Sequence, residues 1–268
     1  MIQNKVRAAV KETRPLIHAI TNPISINQCA NTALAVGARP IMAEHPAEAS
    51  EITRTAQALL LNLGNITDVR IQSMLISGKT ANENKIPIVL DTVGAACSSF
   101  RHKFAYQLIE KIHPAVIKGN YSEILALYDL GYRAGGVDAE ISLDISDAQK
   151  AAVCLAKKYN TIILASGKTD IVTDGENLFH INNGSSQLTC ITGTGCMLGM
   201  LCACYMSVYP DITAVVTATA VMGICGEKAE TDNGNSSFML NLLDNLSVLS
   251  DSDVEKRLKM EEIKIESI

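Results

Sequence analysis

The sequence predicts an α/β protein whose central sheet is mainly parallel and covered by helices on both faces. Short apolar runs, typical of strands buried on both faces, alternate with stretches of helical periodicity. The apolar runs occupy residues 40–43, 58–63, 86–91, 115–118 and 161–166. The helical patterns occupy residues 24–36, 47–57, 66–80, 100–112, 121–130 and 146–159. Because this succession is the pattern of parallel crossovers, we expect a three-layer α/β/α fold.

Local signals mark the first strand–helix crossing, which begins at His18. Asn22 precedes Pro23, an order that predicts a helix N-cap followed by proline at the first helical position. Gly37 follows the last periodic residue and predicts the helix C-terminus. Together these signals predict a helix over residues 24–36.

The alternation of strands and helices ends near residue 170. Residues 170–181 contain two strand-like runs on either side of Asp174-Gly175-Glu176-Asn177, which predicts a β-hairpin. The chain beyond is almost entirely helical, with helices expected at 195–208, 211–230 and 236–248 and a charged end at 251–268. No internal repeat or linker is visible, so residues 1–268 are expected to form one domain.

Composition limits the classes of function. Lys plus Arg total 23 and Asp plus Glu total 28, giving a net charge of −5, and this balance disfavours nucleic-acid binding. No apolar run reaches the roughly 18 residues of a membrane span, so no membrane partner is expected. The N-terminal stretch is charged and amphipathic, without the apolar centre of a signal peptide. We therefore expect a cytoplasmic protein.

The eight cysteines do not suggest a disulfide framework or a zinc site. No CxxC pair occurs, and most of the cysteines lie in apolar or small-residue stretches. Free cysteine is among the most buried residue types, so most are expected to be core residues. Cys196 is the exception, because it follows a glycine-rich turn.

The segment Thr192-Gly193-Thr194-Gly195-Cys196 opens a predicted helix and is the most informative local pattern. Glycines allow backbone N–H groups to point inward, and a helix N-terminus adds partial positive charge, so the segment can form an anion hole. The alternative is a turn that only lets a buried helix pack closely. The segment alone does not decide between them.

Polar residues follow three of the predicted strands. Asp91 ends one strand, Lys118 ends the next and precedes Glu123 in the first turn of a helix, and Ser166 ends a third. Open parallel sheets bind ligands at this edge, where Lys118 can meet phosphates and Glu123 can hold Mg²⁺. Each residue also has a purely structural explanation as a cap or turn residue. Neither a GxxxxGK[ST] motif nor GxGxxG after the first strand occurs, which disfavours those nucleotide-binding folds.

Two further residues near the first crossing have alternative explanations. Asn22 is either an N-cap or an amide that faces a ligand, and Met42 is either a core residue or a ligand contact.

These residues resemble the hydroxyethylthiazole kinase family, the thiamine-salvage branch of the ribokinase-like superfamily. The combination of HxITN, PIMA and GTGC is much more specific than a lone glycine loop. Matches run in order from about residue 14 to the last helices. The matching stretches are HAITNPISINQCAN at 18–31, GARPIMA at 37–43, DTVGA at 91–95, KGNYSEI at 118–124, GVDA at 136–139 and TGTGC at 192–196.

The resemblance implies a ribokinase-like fold and ATP- and Mg²⁺-dependent phosphorylation of the primary alcohol of 4-methyl-5-(2-hydroxyethyl)thiazole. It also implies a homotrimer with its sites at subunit interfaces. By position, Met42 and Gly193 would contact the thiazole, with Asn22 and Ile24 nearby. Cys196 would stand where most of the superfamily has an Asp base.

The same resemblance implies the ATP and metal contacts. Lys118, where relatives often have Arg, and Ser166, where Thr is common, would contact ATP. Asp91 and Glu123 would hold the metal and the phosphates.

Some positions depart from the usual family pattern. Thr92 replaces Pro in DPVGA, Ala96 replaces Gly, and Asn65 stands where Thr often follows Asn-x-Gly. Lys118 keeps the charge of Arg but loses its bidentate fork, which predicts a looser ATP contact.

These residues suggest a mechanism and leave rival functions open. Cys196 would orient the hydroxyl and accept its proton late, as a thiolate stabilised by the helix N-terminus. A hydroxymethylpyrimidine kinase is the nearest alternative, disfavoured by Cys196, HAITN and PIMA. A transferase with Cys196 as covalent nucleophile and a non-catalytic ligand-binding relative are the others.

Overall fold

The computed structural model describes residues 2–129, 131–132 and 144–265. Within them lie nine strands and eleven α-helices. The strands are β1 Leu16–Ile20, β2 Arg39–Ile41, β3 Ala58–Asn62, β4 Ile88–Asp91, β5 Val116–Asn120, β6 Ile162–Ser166, β7 Asp170–Thr173, β8 Leu178–Ile181 and β9 Met260–Glu262. The helices are α1 Ile2–Thr13, α2 Ile26–Ala35, α3 Pro46–Thr55, α4 Asp68–Glu83, α5 Ser99–Ile112, α6 Tyr121–Tyr128, α7 Ile145–Tyr159, α8 Thr194–Met206, α9 Ile212–Ala229, α10 Asn235–Val248 and α11 Asp251–Arg257. A short 3₁₀ helix, Ser186–Cys190, precedes α8.

All nine strands form one sheet in the order β2-β1-β3-β4-β5-β6-β7-β8-β9. Neighbouring strands from β2 to β6 are parallel, and β7, β8 and β9 are added antiparallel. The mainly parallel sheet and the hairpin predicted from the sequence are therefore confirmed.

The sheet separates two apolar layers. Successive residues of β3 alternate between them, since Leu60 faces one layer while Leu59 and Leu61 face the other. The first layer contains side chains of α1, α2, α8, α9, α10 and α11, and the second those of α4, α5, α6 and α7. The structure thus has the three-layer α/β/α architecture expected from the alternating pattern.

Helix α9 is the one described helix whose length and composition would suit a membrane span. Ile212–Ala229 is long and apolar enough by length and composition, yet 78% of it is buried inside the protein. Because α9 packs against α8, α10 and α1, its all-round apolar surface is explained by the protein core.

The start of α2 also differs from its prediction. The helix begins at Ile26 with Ser25 as N-cap, and Asn22 lies before it in a turn. Proline at position 23 does not begin the helix, because the Asn22 side chain accepts the N–H groups of Ile24 and Ser25 first. The predicted stop is confirmed, with Gly37 at φ +96° directly after the helix end.

The predicted charged end, 251–268, contains two elements that its composition did not reveal. Ser250 caps α11 in a capping box with Asp253, and β9 then pairs with β8 at the sheet edge. The three residues of β9 are Met-Glu-Glu, so they carry no apolar alternation that would predict a strand.

Candidate active site

Three polar side chains lie side by side where the parallel strands end. Asn62, the last residue of β3, pairs in register with Asp91 of β4, and Asp91 pairs with Lys118 of β5. All three are buried. Since parallel strands end at a common edge of the sheet, this register brings together groups that are distant in the sequence.

Lys118 and Asp91 form a buried ion pair. The ammonium of Lys118 lies 3.2 Å from Oδ1 and 3.2 Å from Oδ2 of Asp91. Complete burial raises the pKa of Asp91, and the Lys118 ammonium opposes that rise. Burial alone would lower the pKa of Lys118, but the carboxylates of Asp91 and Glu123 together hold it above its usual value. Lys118 therefore keeps its positive charge at the edge of the sheet.

Gly199 lets α8 approach the ion pair closely, while a Cβ at Gly195 would meet Lys118 at an ordinary contact distance. A Cβ at Gly195 would lie 3.5 Å from the Lys118 ammonium, and a Cβ at Gly199 would lie 3.3 Å from Asp91 Oδ2. Gly193 has φ +95° and a Cβ there would lie 3.2 Å from Ser25 Cβ. The glycine turn thus serves close packing, which was one of the two explanations drawn from the sequence.

The same turn also leaves backbone donors at the site. The first α-helical bond of α8 runs from Met197 N to Gly193 O at 2.9 Å. The N–H groups of residues 194–196 precede that bond and therefore project from the N-terminal end of the helix, beside Lys118. The geometry is compatible with the anion hole that the sequence suggested.

Cys196 lies in the first turn of α8 and is 8% exposed. Its Sγ accepts hydrogen bonds from Asn22 Nδ2 at 3.4 Å and from Asn62 Nδ2 at 3.3 Å. Burial and the nearby Asp91 carboxylate raise the pKa of the thiol, with Lys118 opposing. This raised pKa favours the neutral thiol in the resting protein, whereas the sequence suggested a thiolate stabilised by the helix N-terminus.

Asn62 is a site residue that the sequence analysis missed. Its Nδ2 also donates to Asp91 Oδ2 at 2.9 Å, and its Oδ1 accepts from Asn22 Nδ2 at 3.0 Å and from Gly64 N at 2.9 Å. A signal was available, since one polar residue ends the otherwise apolar run ALLLN.

Asn22 joins the site through the same contacts rather than through a helix cap. Its Oδ1 accepts from the backbone N–H groups of Ile24 and Ser25 at 3.1 Å each. Both lone-pair directions of its oxygen and both N–H groups of its amide are thus taken by the protein. A direct hydrogen bond from Asn22 to a ligand would require one of these bonds to be exchanged.

The Glu123 carboxylate accepts hydrogen bonds from two segments of the chain, the loop after β4 and the start of α6. In a capping box, Asn120 N donates to Glu123 Oε2 at 2.8 Å while Glu123 N donates to Asn120 Oδ1 at 2.9 Å. Gly94 N donates to Oε1 at 2.7 Å, which fixes the loop after Asp91. Burial and the Asp91 carboxylate raise the pKa of Glu123 to about 7, with Lys118 and the two N–H donors opposing.

Ser166 ends β6 opposite Asn120 of β5, and its hydroxyl donates to Gly119 O at 3.3 Å. It is half-buried at the same edge of the sheet as Lys118. The predicted grouping of Asp91, Lys118 and Ser166 at one sheet edge therefore matches the strand register.

Ile24 adjoins this cluster, because its backbone N–H donates to Asn22 Oδ1. Met42 follows β2 and packs half-buried against the core, whereas the Ile24 side chain is 59% exposed. His18 holds the segment after Met42, because its Nε2 lies 2.8 Å from Ala43 O. The GVDA match at 136–139 lies outside the described residues.

No group of three or more His, Cys, Asp or Glu side chains within the described residues is arranged to hold a metal ion. All eight cysteines are free, and five of them, including Cys196, are buried.

Comparisons with known proteins agree with the resemblance. The family model of the hydroxyethylthiazole kinase family matches residues 8–252. The chain is 47% identical over 262 residues to hydroxyethylthiazole kinase 2 of Clostridium botulinum, covering 96% of this chain and 98% of that protein. It is 37% identical over 259 residues to hydroxyethylthiazole kinase of Alkaliphilus oremlandii, covering 95% of each chain.

Solved structures give the same result for the fold. The hydroxyethylthiazole kinase protein of Pyrococcus horikoshii OT3 superposes with a TM-score of 0.90 at 33% identity, over 98% of this chain and 99% of that one. A pyridoxal kinase of Staphylococcus aureus superposes with a TM-score of 0.63 at 13% identity, over 94% and 99%, which supports the ribokinase-like fold. With the family model and these relatives covering nearly the whole chain, the protein belongs to the hydroxyethylthiazole kinase family.

Proposed function

We propose that the protein transfers the γ-phosphoryl group of ATP to the primary hydroxyl of 4-methyl-5-(2-hydroxyethyl)thiazole, as a step of thiamine salvage. Membership of the family supports the activity. One observation carries the proposal: the Asn62 amide forms hydrogen bonds with both Cys196 and Asp91. Asp91 in turn forms the buried ion pair with Lys118. The Lys118 ammonium, the Asp91 carboxylate and the Cys196 sulfur therefore lie together at the N-terminus of α8.

ATP would approach from the sheet edge above β5 and β6. Lys118 lies 3.5 Å from the Cβ position of Gly195, so its charge and the N–H groups of the glycine turn face the same space. Both would offset negative charge on the transferring phosphoryl group. Ser166 would contact the nucleotide from the end of β6. The Lys118 ammonium is a point charge and lacks the bidentate donor geometry of Arg. We therefore expect it to neutralise phosphate charge more than to fix the orientation of the nucleotide.

The residues fit a magnesium ion that arrives with the nucleotide. Mg²⁺ is commonly held by one or two carboxylates together with substrate phosphates and water. Asp91 at the end of β4 and Glu123 in the first turn of α6, which directly follows β5, supply two carboxylates. When bound, Mg²⁺ would neutralise phosphate charge.

The thiazole would lie on the other side of Cys196, between Met42 and Gly193, with Asn22 and Ile24 nearby. In the reaction the hydroxyl oxygen forms a bond to the γ-phosphorus while the bond from phosphorus to the β–γ bridging oxygen breaks, and ADP leaves. The hydroxyl proton becomes acidic only as the new bond forms. Cys196 would orient this hydroxyl and take the proton late, which requires the ionised fraction of its thiol. The ionised fraction of any thiol grows with pH, and because the pKa of this thiol is raised, the growth continues above neutrality.

We also propose a homotrimer whose sites lie at the subunit interfaces. Large apolar side chains are exposed on neighbouring elements of one layer, with Ile24 at 59%, Leu34 at 57% and Leu240 at 64%. Leu34 lies on α2, Ile24 just before it, and α2 packs against α10, which carries Leu240. An exposed apolar area beside the expected thiazole contacts is the surface that a partner subunit would cover. A cytoplasmic location, where ATP is available, stays a prediction.

A coupled assay of ADP release tests the proposed function. The thiazole alcohol, a hydroxymethylpyrimidine and no acceptor would be compared at equal ATP and Mg²⁺ concentrations. We expect ADP release that depends on the thiazole alcohol. Preference for the pyrimidine would identify the nearest alternative kinase, and binding of the thiazole without ADP release would identify a non-catalytic relative. Asp91→Ala protein, purified in the same way, controls for contaminating kinases.

A further inference from the structure

Asn62 and Asn22 are the two most highly connected side chains of the site. Asn62 is fully buried at the end of β3, and its amide makes four hydrogen bonds. Two of its partners, Asp91 and Cys196, are proposed to act in phosphoryl transfer, and no role has yet been given to Asn62 itself.

Backbone donors fix which way the Asn62 amide points. Gly64 N donates to the side-chain oxygen at 2.9 Å, and an N–H group cannot accept a hydrogen bond from the amide nitrogen. The oxygen must therefore face Gly64, and the nitrogen must face Asp91 and Cys196. The Asn22 amide is fixed in the same way by the N–H groups of Ile24 and Ser25.

This orientation makes the Cys196 sulfur an acceptor of two N–H donors. Each amide nitrogen has two hydrogens, and both are used: Asn62 donates to Asp91 and to the sulfur, and Asn22 donates to Asn62 and to the sulfur. The S–H hydrogen therefore cannot point toward either asparagine. The Ser25 side chain also forms a hydrogen bond with the Cys196 thiol, in a direction not occupied by the two amides.

We propose that Asn62 is a positioning residue for the reaction: its amide fixes the rotation of the Cys196 thiol relative to the Asp91 carboxylate. This inference rests on the proposed function, because it places Cys196 beside the reacting hydroxyl. Asn62 donates directly to the Cys196 sulfur. It also orients the Asn22 amide, the second donor to that sulfur, because Asn62 Oδ1 accepts a hydrogen bond from Asn22 Nδ2. Two N–H donors also stabilise negative charge on sulfur when the proton leaves the thiol.

A purely structural role is the alternative explanation. Asn62 binds Gly64 and Asn22, so it fixes the turns after β3 and β1 as well. Such a role would lower stability and weaken activity whatever residue stands at position 196. The two explanations therefore differ in whether the effect of losing Asn62 depends on the sulfur.

A double-mutant cycle of kcat distinguishes them. The wild type, Asn62→Ala, Cys196→Ala and the double variant would be compared in the ADP-release assay. We expect Asn62→Ala to lower kcat by about tenfold or more, with KM for both substrates changed by less than about threefold. In the Cys196→Ala background the same change should lower kcat by less than about threefold, since the group that it positions is already absent.

Asn183→Ala is the matched control. Asn183 is also a buried asparagine with three hydrogen bonds, but its partners are Glu227, Arg257 and Lys259. We expect its loss to lower the melting temperature while kcat stays within about twofold of wild type. Asn62→Ser, which keeps a small polar side chain, replaces Asn62→Ala in the cycle if the alanine variant does not fold.

Equal losses of kcat from Asn62→Ala in both backgrounds would overturn the inference and favour the structural role. An effect confined to KM, or no effect on kcat, would also overturn it. These outcomes leave the proposed function intact, because the wild type remains active. Wild-type protein that releases no ADP with the thiazole alcohol would instead overturn the proposed function and this inference together.

Discussion

The ammonium of Lys118 lies 3.2 Å from each carboxylate oxygen of Asp91, and the two side chains are 4% and 0% exposed. Removing one member of such a buried pair leaves an unpaired charge, which costs about 3–5 kcal/mol. We expect Lys118→Met to lower the free energy of unfolding by about that amount. Denaturant unfolding measures the loss.

The double variant Lys118→Met/Asp91→Asn is the control for this pair. With both charges removed, we expect stability to recover most of the loss while kinase activity stays very low, because the proposed charge contacts to ATP and metal are gone. A double variant as unstable as Lys118→Met would contradict the interpretation of the pair as mutually compensating charges.

Glu123 is expected to make stability depend on pH. Its pKa is about 7 in the folded protein against an ordinary value of 4.5, so between these values the folded state binds more protons than the unfolded state. Stability contributed by this group is therefore present at low pH and decreases as the pH rises through 4.5–7. The contribution of Glu123 to the free energy of unfolding changes by on the order of 3 kcal/mol over this pH range.

Glu123→Gln removes this titration and isolates it from other groups. His18, whose pKa is lowered by burial, acts in the opposite direction because its unfolded form gains a proton as the pH falls below about 6.5. We expect the wild type to lose stability relative to Glu123→Gln as the pH is raised from about 5 to 8 in denaturant unfolding. Parallel pH dependences for the two proteins would show that Glu123 keeps an ordinary pKa.

The role of Cys196 is tested by two substitutions. Burial and the Asp91 carboxylate raise the pKa of the thiol, and they would also raise the pKa of an aspartate at position 196. Because a free aspartate carboxyl titrates near 3.9 and a free thiol near 8.5, Cys196→Asp still offers the more readily ionised acceptor. We expect Cys196→Asp to keep substantial kinase activity and Cys196→Ala to lower kcat by on the order of 10²-fold. The wild-type kcat should rise with pH above neutrality, and the Asp variant should lose that dependence.

Turnover and melting temperature together separate the explanations for Cys196. A covalent thiol mechanism predicts an inactive Asp variant, and a packing role predicts a mild Ala variant and an unstable Asp variant. A folded but inactive Cys196→Asp protein would contradict the role as proton acceptor.

The proposed trimer predicts a measurable mass. Light scattering should give about three times the 28.7 kDa of one chain. We expect Ile24→Asp to shift the mass toward the monomer and to lower activity, because a charge would replace an exposed apolar side chain beside the site. Val69 is another exposed apolar residue and lies on α4, in the opposite helical layer. We expect Val69→Asp to leave the mass and the activity unchanged. A fully active monomer would contradict sites shared between subunits.

The parallel sheet and the hairpin could be predicted because their signals are local. Runs such as ALLLNL and IPIVLD end within one or two residues of the observed strands, and Asp174 and Gly175 form the predicted turn. The prediction of one domain over residues 1–268 remains a proposal. The charged strand β9 was not predicted, because a strand at the edge of a sheet needs no apolar pattern. The start of α2 was predicted too early, because Asn22 forms a turn before the helix.

The site itself was only partly predictable. Polar residues at strand ends revealed Asp91, Lys118 and Ser166, because parallel strands share an edge. The connections made by Asn62 were not visible, since they join residues 40, 29 and 134 positions apart. The raised pKa of Cys196 was missed for a related reason: burial and the proximity of Asp91 are properties of the folded chain.

The most direct test of the central claim is identification of the reaction product by mass spectrometry. Purified protein would be incubated with ATP, Mg²⁺ and 4-methyl-5-(2-hydroxyethyl)thiazole, with Asp91→Ala protein as control. We predict that the thiazole alcohol gains one phosphoryl group in step with ADP formation, and that the control forms little of it. ADP formation without phosphorylated thiazole, or phosphorylation of a hydroxymethylpyrimidine in its place, would contradict the assignment.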